Sequence, residues 1–352
     1  MSIENVVRSR FVELGADLVG FAHPTLPRSY HDKFRRWIDH DMHGGMEYLA
    51  KRPRMGCDCK DLLPNVASVV VLAFNYHFDV VTENESPSGT IGKYASFRDY
   101  HKSVGAVLKN CAKFLKSKYA ADCRTFVDAS PLMERAYAEC AGLGFIGKSG
   151  MLITRQFGTY VFLATILTSI ELKTDLAIVE RACGGCKACQ SACPTSAING
   201  DGTVDARKCI SYLTIENGYG IPIPLRPLLS DAVFGCDKCQ QICPFNTKPT
   251  NAESTEFIPR IPSCRLPLTK LLSIDSHESF VELFAGLPIM RAKWRGIVRN
   301  ACVAAGNSGN RALIPILTKL IDTTDDDTIR EHAEWAAVKI ELSTKLDSQK
   351  SK

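Results

Sequence analysis

The 352-residue chain has no uncharged run approaching the ~18 residues needed to cross a bilayer. Its opening, Met1 to Asn5, is neither basic nor followed by an apolar stretch, and Arg8 and Arg10 are not adjacent, so no twin-arginine signal is present. These absences predict a cytoplasmic protein without a membrane segment. A dinucleotide fingerprint is missing as well, because Gly142, Gly144 and Gly147 follow a helical segment instead of sitting on a strand-to-helix turn. The formal charge of +5 is too small to argue for nucleic acid by itself. With 45% hydrophobic and 23% charged residues, the composition is that of an ordinary soluble protein of two or three domains.

Cysteine is abundant: there are 15 in a chain far too long to be a secreted disulfide scaffold. Cys183, Cys186, Cys189 and Cys193 run as C-x2-C-x2-C-x3-C, closed by Pro194. Cys236, Cys239 and Cys243 repeat the last three of that pattern and are closed by Pro244. Three thiolates on one tight loop hold three corners of a 4Fe–4S cubane, and the fourth Cys of such a run reaches the other cluster. The second group lacks its first member, and Cys209, between the two groups, is the candidate substitute. The spacing therefore predicts Cys183, Cys186, Cys189 and Cys243 on one cluster, and Cys193, Cys209, Cys236 and Cys239 on the other. Structural zinc would want two separated pairs with no third Cys three residues on. Cys57, Cys59, Cys111, Cys123, Cys140, Cys264 and Cys302 read as free thiols of a reducing compartment.

Strand and helix patterns alternate through residues 1–175. Helices are predicted over 3–14, 100–119 and 132–143. Strands are predicted at 18–22, 67–76, 124–128, 151–154 and 159–168. The run at 67–76 is continuously apolar and β-branched, as in a strand covered on both faces. The fold class predicted is an α/β N-terminal domain (1–175), a ferredoxin-like two-cluster domain (176–262) ordered more by its clusters than by a core, and a C-terminal α-helical HEAT-like repeat (263–352). In the last part, Gly306-Asn307 is expected to end a helix that starts near Met290.

Two segments of the first domain carry chemistry. Asp128 ends a predicted strand, and in open α/β sheets the crevice beyond the strand ends holds ligands; by itself Asp128, or Ser130, reads equally well as a helix N-cap. Lys148 beside glycines can approach a phosphate or stay solvated. The stretch Lys93 to His101 gathers aromatic and ionisable groups at a helix start, with Asp99 a natural N-cap.

The ordered set of motifs is more specific than any one of them. It includes His43-Gly44-Gly45-Met46-Glu47-Tyr48-Leu49 with Arg52, Arg98-Asp99-Tyr100-His101, and Asp128 through Lys148. Both cysteine groups, Ile210-Ser211-Tyr212-Leu213, Phe234-Gly235-Cys236-Asp237, Arg299-Asn300-Ala301 and Arg330-Glu331-His332 continue it. Taken together, these residues resemble the epoxyqueuosine reductase family nearly end to end. Ser149-Gly150 and Phe97 depart from the usual family residues.

The resemblance implies a cobalamin-dependent reduction of epoxyqueuosine to queuosine at the tRNA wobble position. Cobalamin would sit in the α/β domain, with Arg52, Asp128, Lys148, Ser211 and Asp237 as contacts, and two 4Fe–4S clusters would feed it. The implied partners are tRNA carrying epoxyqueuosine and an external low-potential electron donor of flavodoxin or ferredoxin type, with the chain itself a monomer. Asp128 would be the proton donor, kept protonated by burial. Arg291, Arg295 and Arg299, spaced i, i+4, i+8 with Lys293 beside them, read as a solvated face alone and as phosphate contacts in the family context. The competing readings are a reductive dehalogenase-like cobalamin and iron–sulfur reductase, and an iron–sulfur electron-transfer subunit.

Overall fold

The computed structural model describes residues 1–51, 59–82, 87–128, 131–175 and 183–350. Its first sheet has the order β1 (Leu18–Ala22), β2 (Ser68–Asn75), β7 (Val161–Thr168), β4 (Cys123–Phe126), and a separate short ladder pairs β5 (Phe145–Ile146) with β6 (Leu152–Ile153). The central strand β2 is buried along its whole length. Successive side chains of a strand point to opposite faces, and its residues divide accordingly. Val70, Leu72 and Phe74 join a core with Val7 and Phe11 of the Ile3–Glu13 helix and Val104 and Leu108 of the Tyr100–Tyr119 helix. Val69, Val71 and Ala73 join a second core with Ala136, Tyr137 and Ala138 of the Glu134–Cys140 helix. Helices thus cover both faces, as the apolar run at 67–76 predicts.

Every ladder in this sheet is antiparallel. The crevice rule for parallel sheets therefore does not explain the position of Asp128. The reason lies in the signal itself: an unbroken apolar run reports burial on both faces and says nothing about the direction of the neighbouring strands.

A second sheet crosses the predicted segment borders. Its central strand β3 (Ser88–Ile91) runs parallel to β8 (Ala232–Phe234) and antiparallel to β9 (Arg265–Pro267). Residues Ile91 and Ala95 from the first segment and Val233 and Phe234 from the second enter one core with Leu268, Phe280, Ile297, Ala301 and Ile340. The cluster segment also has an apolar anchor of its own, in which Ile210, Leu213, Ile221, Leu229 and Ala232 pack against Val303. Its order does not come from clusters alone, since each fully buried side chain of this size stabilises by about 1.5–3 kcal/mol.

The C-terminal helices are Lys293–Ser308, Ile314–Thr323 and Asp327–Lys350. Gly306 does not end the first of them. It lies inside, where a Cβ would stand 2.7 Å from the Trp335 ring and 2.9 Å from the Ala336 backbone, so the glycine lets two helices touch. The helix stops at Gly309, which takes the left-handed conformation (φ 64°) that glycine tolerates.

This helical layer grips the chain between Cys209 and Cys236. Asn300 donates to the Thr214 and Val233 carbonyls at 2.8 Å, and Asn307 donates to those of Arg226 and Ser230. Arg226 pairs with Glu331, and the Ile221 N–H donates to Nε2 of buried His332 at 3.0 Å. Burial, reinforced by the Arg226 charge, brings the His332 pKa down to about 4. An exposed His in the unfolded chain titrates near 6.5, so between about pH 4 and 6.5 the unfolded state holds more protons and stability rises with pH. Acidification from pH 7 to 5 is therefore expected to lower Tm. His332→Gln cannot titrate and still offers Ile221 an acceptor, so its Tm should change less over the same range. Parallel pH curves for the two proteins would remove His332 from the acid response.

Candidate functional site

The eight motif cysteines come together as two quartets. Cys243 has Cys183, Cys189 and Cys186 as electrostatic neighbours, while Cys209 neighbours Cys193, and Cys236 and Cys239 neighbour Cys209. Cys189 and Cys239 link the two groups, on short helices (Ala188–Ala192 and Lys238–Gln241) that pack together. Burial, followed by the adjacent thiols, pushes Cys236 up to about 11 and Cys239 higher still. Backbone N–H groups work in the other direction. Those of Gln190, Lys238 and Phe245 favour the thiolates of Cys189, Cys236 and Cys243, and those of Tyr212 and Ser211 favour that of Cys209. Cys209 also caps the Ile210–Ile215 helix, where the helix dipole favours a thiolate. Among the described residues, no three His, Cys, Asp or Glu side chains converge on a point that could hold a single metal ion. A four-iron cubane instead takes its thiolates at separate corners, and the two quartets fit that requirement.

Several predicted cofactor contacts turn out to serve this shell. Lys148 donates its ammonium to the carbonyls of Gly184 (2.6 Å) and Cys186 (2.8 Å), so it clamps the first cysteine loop and is not free for a phosphate. Ser211 acts at Cys209 through its backbone N–H. Asp237 is held up by burial and accepts the Lys93 N–H at 2.6 Å and the Gln240 side-chain amide at 2.8 Å, tying the second cysteine group to the first domain. Arg52 lies outside the described residues, as do Ser130 and Cys57.

Asp128 follows β4 in a left-handed backbone conformation (φ 54°), and its side chain is 65% exposed. The burial expected to keep this carboxyl protonated is absent. Nor does it cap a helix: the Glu134–Cys140 helix has Met133 as its N-cap, and the Asp128 N–H donates to both Glu134 carboxylate oxygens at 3.1 Å. The Glu134 carboxyl beside it is pushed up to about 8 by burial and then by the Asp128 charge.

Neighbouring proton donors surround the Asp128 side chain. Tyr100 Oη donates to its Oδ2 at 2.5 Å, and His101 Nε2 stands 3.8 Å from the same oxygen. The Tyr100 ring is stacked on Phe162 at 4.4 Å and on His101 at 4.3 Å, which fixes its direction. Asp99 caps the helix as predicted and holds His101 Nδ1 at 2.8 Å; this hydrogen bond, against burial, raises the His101 pKa. Tyr94 is half-buried behind, with both Asp237 and Asp128 among its electrostatic neighbours, so it lies between the second cysteine group and the carboxyl. Tyr100 and Glu134 had only one signal in the sequence, which is their place within the two segments rich in ionisable groups.

The proposed basic face does not form. Arg299 is 3% exposed and donates to the carbonyls of Leu213, Asn217 and Tyr219 and to Asn300. It is a buried clamp on the loop after Cys209, not a phosphate contact; the i+8 position points inward because the helix packs on that loop. Arg295 pairs with Asp326 at 2.8 Å. Arg291 lies before the helix, in the Pro288–Ala292 turn, and pairs with Glu216, close enough to Asp128 and His101 to act on both electrostatically. Lys293 is exposed.

A family model described as "Epoxyqueuosine reductase QueG, DUF1730" matches residues 57–129, and one described as a 4Fe-4S double cluster binding domain matches residues 182–246. The chain is 35% identical to an epoxyqueuosine reductase of Pseudomonas aeruginosa over 92% of its length and 91% of the relative's. It is 36% identical to that of Escherichia coli, covering 92% of this chain and 86% of the relative. Among solved structures, an epoxyqueuosine reductase with an epoxyqueuosine-modified tRNA-Tyr stem loop superposes with a TM-score of 0.88 at 30% identity, covering 96% of this chain and 90% of the other. A Bacillus subtilis epoxyqueuosine reductase, with the catalytic loop of an aspartate swung out of its active site, matches with the same TM-score of 0.88, identity of 30% and coverage of 96% and 90%.

Proposed function

The chain belongs to the epoxyqueuosine reductase family, and we propose on that basis that it reduces the epoxide of epoxyqueuosine in tRNA to give queuosine. The balance is two electrons and two protons per epoxide, with the oxygen leaving as water and a carbon–carbon double bond left behind. The observation that carries this reading is the junction of two thiol quartets with the Asp128 constellation, through Asp237 and Tyr94. Eight thiols in two quartets supply iron–sulfur clusters able to pass single electrons. Asp128, with Tyr100 and His101 on its Oδ2, supplies a proton to the departing oxygen.

We assign the roles as follows. Asp128 gives the proton, Tyr100 aims its carboxyl, and Asp99, which raises the His101 pKa, favours the charged ring that can replace the proton. Cobalamin is the reducing group that the family resemblance implies. The side chains of Lys148 and Asp237 are engaged elsewhere and give it no free contact, so no step here is routed through it. Arg291 and exposed Lys293 are assigned to the tRNA backbone, and the three C-terminal helices are read as a HEAT-type unit.

The test is the nucleoside content of tRNA from cells lacking this gene. Epoxyqueuosine should accumulate and queuosine disappear, with both restored by the intact gene. Unchanged tRNA would end this reading.

A further inference from the structure

We infer that the outer rim of the first thiol quartet is the docking surface for an acidic one-electron carrier protein of the flavodoxin or ferredoxin class, so that electrons enter through Cys183, Cys186, Cys189 and Cys243. The inference rests on the reductase reading for its need of electrons and adds where they arrive and what brings them.

Three observations converge on this rim. The first is exposure. Residues Gly184 to Lys187 are exposed, a Cβ at Gly184 or Gly185 would meet nothing within 4 Å, and Ile242, beside Cys243, is 50% exposed. A carrier can therefore approach the backbone that wraps this quartet. The second quartet is placed differently: Cys209 and Cys236 adjoin the Ile210, Leu213 and Ala232 core, and Cys239 adjoins Asp237, which is tied to Lys93 and Gln240.

The second observation is charge. From Cys183 to Gly200 there is no acidic residue and one basic one, Lys187; from Lys238 to Ala252 there is again no acidic residue, with Lys238 and Lys248 basic. Lys148 adds its ammonium at the Gly184 and Cys186 carbonyls. Thiolate-bound clusters are anionic, so an acidic carrier would be repelled by a bare rim; these lysines set positive charge against that repulsion. The third is composition. One exposed isoleucine and the exposed heads of Lys187 and Lys248 suit a small, transient contact, which is the usual form of electron-transfer encounters. Steering by opposite charge raises the encounter rate by 10–10³ and weakens with salt. Each encounter oxidises the carrier by one electron and reduces the cluster by one, and two encounters complete the two-electron balance.

The full-length, cluster-loaded protein carrying Lys187→Glu and Lys248→Glu tests the surface. Neither residue contacts the Asp128 constellation in the roles assigned above. Stopped-flow mixing with a reduced flavodoxin, and separately with a reduced ferredoxin, reads bleaching of the cluster absorbance without any need for epoxide turnover. At low ionic strength the double variant should be reduced at least about tenfold more slowly than the unmodified protein, and the two rates should converge as salt is added. Reduction by dithionite and the iron content should be unchanged. Equal rates with the carriers at low salt would overturn the inference, as would an equal loss with dithionite, or an unmodified protein that neither carrier reduces. A protein that is reduced normally by the carriers yet leaves epoxyqueuosine untouched would instead refute the reductase reading and leave the docking surface standing.

Discussion

Asp128→Asn is expected to convert epoxyqueuosine-containing tRNA at least ~100-fold more slowly in a single turnover, the scale of loss when a positioned general acid is removed. The substitution keeps the shape and an oxygen to accept from Tyr100 Oη, now 2.5 Å away, and it leaves the backbone N–H that Glu134 receives. It removes only the acidic proton. Because Asp128 is 65% exposed, its proton must come from its partners, not from burial. His101, held by Asp99 with its pKa raised, is the group able to resupply it. Chemically reduced enzyme bypasses electron delivery, so the assay reads the proton step. Iron content and tRNA affinity should match the unmodified protein. A rate within about threefold would leave Asp128 as no more than a hydrogen-bond acceptor for Tyr100.

Cys209→Ala should cut bound iron from about eight to about four per chain after anaerobic reconstitution, since each cubane holds four irons on its own ligand quartet. Cys209 starts the Ile210–Ile215 helix and neighbours Cys193 and Cys236, whereas Cys243 is the fourth neighbour of Cys183, Cys186 and Cys189. The fold around it is held independently by Arg299 and Asn300, so the loss should be confined to one cluster. Electron paramagnetic resonance of the reduced variant should show one cluster where the unmodified protein shows two, and epoxide reduction should stop with any reductant. Eight irons with an unchanged spectrum would show that another residue completes the quartet.

The sequence was most informative where geometry is local. The strand Leu18–Ala22 and the helix Tyr100–Tyr119 were legible to the residue, because alternation and helical spacing are set by neighbours along the chain. The strands β3, β8 and β9 were not, since 3 or 4 residues each carry too little periodicity to stand out. The Arg291–Arg299 row shows the limit of a helical face. Its spacing was readable, but Arg291 precedes the helix, and Arg299 turns into carbonyls that lie 80 or more residues earlier in the chain.

By itself, then, the sequence determined a double-cluster domain built on the cysteine motifs and the two-sided burial of the central strand. Sulfur spacing on a tight loop and side-chain alternation are both fixed within a few bonds. Tertiary structure alone decided the antiparallel order of the sheet and the sharing of one core by all three segments. It also decided that the Glu134 carboxyl is pushed up by burial while Asp128 stays exposed, and that Lys148 belongs to a cysteine loop. A pKa or an ion pair depends on desolvation and on charges within a few ångströms, and those neighbours arrive from distant parts of the chain only when it folds.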